Sequence, residues 1–143
     1  MARTATVVNA PPEAVWAVLA DPPTYEEWVV GSKEIRRWDP EWPAVGAAFH
    51  HTVQVGPLPV KDRTTVLESE PPRRLVLRAR ARPTGIAHVA LTLTPQGAGT
   101  RVAMAEWPVS GPPAALANPV QDFLINRRND EALRRLKRLA ERR

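Results

Sequence analysis

Cysteine is absent from this chain, which excludes disulfides and thiolate metal centres. Histidine is scarce: His50, His51 and His88 lack the paired helical spacing of a zinc site, so neither a metal nor a cofactor is expected. No hydrophobic run approaches the ~20 residues that a membrane-spanning helix needs. The opening Met1-Ala2-Arg3-Thr4 carries no apolar core of the signal-peptide kind, and the cytoplasm is the expected location. There is no glycine-rich phosphate loop and no Gly-x-Ser-x-Gly elbow, so kinase, dehydrogenase and serine-hydrolase chemistry find no support.

The sequence is rich in proline, with 16 among 143 residues. The prolines cluster at Pro11-Pro12, Pro22-Pro23, Pro40 to Pro43, Pro57 to Pro59, Pro71-Pro72 and Pro112-Pro113. They punctuate the chain, because proline fixes φ and removes a backbone donor. The length suits one domain over residues 1–143, and 43% hydrophobic residues suffice for a core. The net charge of +5 is local. From Arg127 onward eight basic residues face three acidic ones, Asp130, Glu131 and Glu141, while the preceding residues carry twelve of each sign. Those acidic residues interrupt the basic run, so it reads as a solvated helix face, and no nucleic-acid partner is expected.

Periodicity predicts the elements. Thr4 to Asn9 reads as a strand, and Pro11-Pro12-Glu13 opens a helix through Ala20 whose buried stripe is Val15, Val18 and Leu19. A second short helix is predicted from Thr24 to Val30, ended by Gly31. Six strands follow, over Lys33 to Asp39, Ala47 to Val55, Val60 to Ser69, Leu75 to Arg82, Ile86 to Thr94 and Arg101 to Val109. Turn signals at Gly56-Pro57, Pro71-Pro72, Pro83-Thr84-Gly85 and Gly97-Ala98-Gly99 make them antiparallel neighbours. Leu75, Leu77, Ala79 and Ala81 alternate with Arg74, Arg78, Arg80 and Arg82, and Val89, Leu91 and Leu93 with His88, Thr92 and Thr94: one face meets a core and the other water. Asn118-Pro119 then starts a long helix running to near Arg143, with Asn118 as its cap. At 100° per residue Ile125, Ala132, Leu133, Leu136, Leu139 and Ala140 share one arc, and Asn129 lies inside it.

This order, a strand, two short helices, six strands and a long helix, carries recognisable motifs. The run Ala10-Pro11-Pro12-Glu13-Ala14-Val15-Trp16, then Leu19-Ala20-Asp21 and Tyr25…Trp28, resembles the N-terminal signature of the START-like (SRPBCC) superfamily. The turn Glu70-Pro71-Pro72-Arg73-Arg74-Leu75, the strand start Gly99-Thr100-Arg101-Val102 and the tail Asn129…Leu133-Arg134-Arg135-Leu136-Lys137…Ala140-Glu141 are similar to that family too, in its polyketide cyclase/dehydrase-like branch. The resemblance spans the whole chain. It implies an α+β helix-grip fold, in which a curved seven-stranded antiparallel sheet wraps a long C-terminal helix around a ligand cavity. The branch combines cyclases with ligand carriers.

A cavity of roughly 300–1,000 Å³ is expected between sheet and helix, the usual span of small-molecule sites. The inward faces would supply Phe49, His51 and Val53 from one strand, Leu77 and Leu91 from the middle of the sheet, and Met104 with Glu106 from the last strand. Trp28, Ile125 and Asn129 would close it. Ionisable groups in apolar surroundings are candidate acids and bases, which singles out His51 and Glu106. Asn129 is either a polar group aimed at a ligand or an amide serving a loop backbone, and in the first case Asn129→Leu would leave the empty protein as stable or more so. Two functions follow, and a third is an interaction partner that uses the basic helix. The first is binding of a small hydrophobic molecule: a polyketide, lipid or aromatic metabolite. The second is cyclisation or dehydration of a polyketide-like chain, with His51 or Glu106 moving a proton and Asn129 stabilising an enolate. Monomer and homodimer are both compatible with the sequence.

Overall fold

The computed structural model describes residues 1–81, 85–110 and 119–142, apart from the side chains at 55 and 81. The expected cap at Asn118, the turn at Pro83-Thr84, Arg82, Pro112-Pro113 and the inward side chain of Ala81 lie outside the described residues.

Strand β1 (Ala2–Val8) leads into helix α1 (Pro12–Leu19). Pro11 is extended and Pro12 occupies the first turn, where a missing N–H costs nothing. Val15, Val18 and Leu19 form the buried stripe as expected. The next segment differs from expectation. Pro22–Thr24 forms a 3₁₀ turn, and α2 is only the single turn Tyr25–Trp28. The paired prolines cannot donate to an α-helical ladder, and Val29 is already extended at ψ 115°. Gly31, at φ 93°, then turns the chain into β2.

Six strands follow: β2 (Ser32–Trp38), β3 (Ala48–Val55), β4 (Leu58–Glu70), β5 (Arg74–Ala81), β6 (Gly85–Gln96) and β7 (Gly99–Ser110). The long helix α3 spans Pro119–Glu141. All seven strands join one antiparallel sheet in the order β1-β7-β6-β5-β4-β3-β2. Register shifts in the β2–β3, β4–β5 and β6–β7 pairings bend it, since a bulge adds one unpaired residue and sharpens the local twist. Where β1 meets β7 the backbones run close: a Cβ on Gly99 would sit 2.5 Å from the Val8 carbonyl oxygen.

The concave face is apolar. Leu75 opposes Leu91, Leu77 opposes Val89, and Leu91 opposes Met104, and residues directly across a strand pair share a face. Helix α3 covers part of this face with Ala132, Leu133, Leu136 and Ala140. Its backbone runs closest to β1, β7, α1 and α2, which leaves the concave side of β3 to β6 less covered. Two arginines depart from the expected solvated face of β5. Arg78 is exposed, but Arg74, which donates to Glu68 and Thr92, and Arg80, which reaches the buried carboxylate of Asp62 at 3.8 Å, are half-buried. No helix among the described residues is long and apolar enough to cross a membrane.

Candidate functional site

Between α3 and the less covered part of the sheet lies a cavity of about 160 Å³. Its walls are mostly apolar, with Leu77, Val89, Met104 and Ala132 among the lining side chains. The volume is below the expected range because aromatic rings crowd one end. Tyr25 lies 4.8 Å from Trp28 and 4.8 Å from Phe49 between ring centroids, and Trp42 lies 4.9 Å from Phe49. The Tyr25 hydroxyl and the Trp42 indole N–H both donate to the Leu19 carbonyl, which anchors this cluster to the end of α1.

The expected wall residues Trp28, Phe49, His51, Val53, Leu77, Met104, Glu106 and Asn129 all line this cavity. Leu91 and Ile125 do not. Leu91 is fully buried in the solid core, two residues along β6 from the cavity-lining Val89. Alternation assigns a face of a strand but not a depth along it. Ile125 sits half-buried one helical turn before Asn129, beyond the end of the cavity.

The polar candidates fall into two groups. Glu106 and Asn129 meet on the β7 side: Asn129 Nδ2 donates to Glu106 Oε1 at 3.1 Å. Arg128 Nη2 donates to both Glu106 carboxylate oxygens at 2.6 Å. Asn129 therefore serves neither a free ligand group nor a loop backbone, but a buried carboxylate. The Glu106 side chain is 10% exposed and that of Arg128 is 43% exposed, so the pair spans the cavity rim. Arg128 was not legible in the sequence as a site residue, because it falls between the exposed Arg127 and the buried Asn129.

His51 stands apart on β3, with β4, β5 and β6 between it and β7 in the sheet. It is 6% exposed, its Nε2 lies 3.2 Å from Thr64 Oγ1, and its Nδ1 has no hydrogen-bond partner among the described residues. Burial pushes its pKa down from 6.5 to about 4; Asp62 opposes this, and Arg36 and His50 add to it. The imidazole is thus neutral at pH 7. Because the unfolded chain binds the proton more tightly, stability falls as pH drops from about 6.5 toward 4. We expect about 2–3 kcal/mol of the stability at pH 7 to be lost by pH ~4.5 through this residue. Urea titrations of the parent and His51→Phe at both pH values check it: equal pH slopes would contradict it.

Ser32, at the start of β2, was missed in the sequence, where Ser32-Lys33-Glu34 offers no alternation. It lines the cavity, and its buried hydroxyl has no partner among the described residues. Among the described residues no cluster of three histidine or carboxylate side chains is placed to hold a metal.

Comparison with known proteins agrees with this architecture. The Zhui aromatase/cyclase from a Streptomyces species superposes with a TM-score of 0.71 at 19% identity, covering 99% of this chain and 93% of that one. Protein TTHA0849 from Thermus thermophilus gives 0.74 at 15% identity, with coverage of 97% and 95%. Protein CV1439 from Chromobacterium violaceum gives 0.69 at 22% identity, with coverage of 97% and 96%. These likenesses establish a shared helix-grip fold. A search of curated proteins gives no match. The family model described as polyketide cyclase / dehydrase and lipid transport matches residues 2–141, and the chain belongs to that family.

Proposed function

We propose that this protein binds a small hydrophobic molecule, a polyketide, lipid or aromatic metabolite, in the cavity between the sheet and α3. The observation that carries this reading is a mainly apolar cavity whose lining carboxylate, Glu106, is already held by Arg128 and Asn129. A carboxylate held by two partners is a poor proton shuttle but a good structural rim. Burial leaves His51 a weak base as well. The acid–base inventory thus supports retention of a ligand over chemistry on it.

The second reading, cyclisation or dehydration, is favoured by one feature: the unpartnered His51 Nδ1 on the cavity wall, able to exchange a proton with a bound carbonyl compound. Native mass spectrometry of gently purified protein tests the first reading, and a co-purified small molecule is the expected result. Displacement of a fluorescent apolar probe by that molecule would place it in the cavity, and loss of probe binding in Ala132→Trp, which fills the cavity, is expected alongside. An unchanged probe affinity in that variant would refute the site. Conversion of the co-purified molecule by the parent but not by His51→Phe would establish the second reading.

A further inference from the structure

Among the described residues four buried side-chain atoms lack a hydrogen-bond partner, and three of them, Trp28 Nε1, Ser32 Oγ and His51 Nδ1, belong to residues that line this one cavity. Trp28 is 3% exposed and His51 6% exposed, so water outside the protein does not satisfy them. An unpaired buried polar group is costly, and three gathered at one cavity mark a place built for a polar atom. They share a wall. Ser32 opposes Val53 in the β2–β3 ladder, His51 lies two residues from Val53 on the same face, and Trp28 is one residue short of Val29, whose carbonyl accepts from the Ser32 N–H.

Their chemistry restricts what that atom is. The indole N–H of Trp28 only donates, so the ligand must present an acceptor. Ser32 both donates and accepts, and His51 Nδ1 does one or the other according to how Thr64 fixes Nε2. A hydroxyl satisfies all three whichever tautomer His51 adopts, whereas a bare carbonyl satisfies only donors. Size restricts the rest. The cavity holds about 160 Å³, close to the ~150 Å³ of an engineered apolar cavity that takes up benzene. The surrounding Tyr25 and Phe49 rings favour an aromatic guest through edge and tilted contacts.

We propose that the cavity selects a single-ring phenolic molecule, or the phenolic end of a larger one, with its hydroxyl placed among Trp28 Nε1, Ser32 Oγ and His51 Nδ1. This rests on the cavity being a ligand site. Phenol and toluene, nearly equal in size, are the probes, each titrated into the full chain by calorimetry. Phenol is expected to bind about tenfold or more tighter than toluene, the factor that one good hydrogen bond supplies. In Trp28→Phe combined with Ser32→Ala the preference should fall about tenfold while toluene binding persists. The parent alone gives an independent readout, since phenol but not toluene should move the Trp28 indole N–H resonance downfield. Tighter binding of toluene, or an indole signal that phenol leaves in place, overturns the phenol proposal and leaves the cavity reading standing. Failure of both probes to bind overturns both.

Discussion

A chain lacking residues 119–143 should show no cooperative melting transition. Helix α3 buries Leu133 and Leu136 almost completely, along with Ala132 and Ala140. Each fully buried leucine is worth ~1.5–3 kcal/mol. Removing the helix also exposes the surfaces it covers on the concave side of β1 and β7 and on α1. A loss on both sides of that interface approaches the whole margin of ~5–15 kcal/mol that holds a typical domain folded. Circular dichroism during heating checks this. A sigmoidal transition within a few degrees of the parent would show that the sheet is stable without its helix. Leu136→Ala is the graded control: it should cost ~2–5 kcal/mol and keep a cooperative transition.

The second large effect is expected when Glu106 loses both partners. Arg128→Met combined with Asn129→Leu leaves its carboxylate in an apolar wall with neither the 2.6 Å guanidinium contact nor the 3.1 Å amide contact. Isolating a buried charge in this way costs ~3–5 kcal/mol. Asn129→Leu alone should cost about 1 kcal/mol, because Arg128 remains. That reverses the outcome expected when Asn129 is taken as a free ligand-facing amide. Adding Glu106→Leu to the double variant should restore most of the loss, since apolar replacement of a buried ion pair is often neutral or better. Urea midpoints at constant slope measure all four chains. A double variant as stable as the parent would show that the three side chains do not depend on one another.

The fold was legible because its signals are local. Alternation in Leu75 to Arg82 and in Val89 to Leu93 marks strand faces, and the arc of Leu133, Leu136 and Ala140 marks the covered helix face. What was hidden depends on contacts distant along the chain. Glu106 and Arg128 are 22 residues apart, on a strand and a helix, and no periodic pattern joins them. Val89 and Leu91 look alike in sequence, yet only Val89 lines the cavity. Ser32 sits among polar neighbours, and its burial follows from the turn at Gly31 and the pairing with Val53. The cavity's volume depends on how Tyr25, Trp28, Trp42 and Phe49 lean on one another, which composition does not encode.

The pairing of β1 with β7 has a consequence during synthesis. Val8 lies opposite Thr100 and Ala2 opposite Glu106, so the first strand waits about a hundred residues for its neighbour in the sheet. Such a delayed, distant closure is slow and leaves an apolar edge open in the meantime. Helix α3 follows later still, and with it Arg128, Asn129 and Ala132 of the cavity wall. The wall on the β7 side therefore stays open until α3 has been made, well after the strands that form the floor of the cavity.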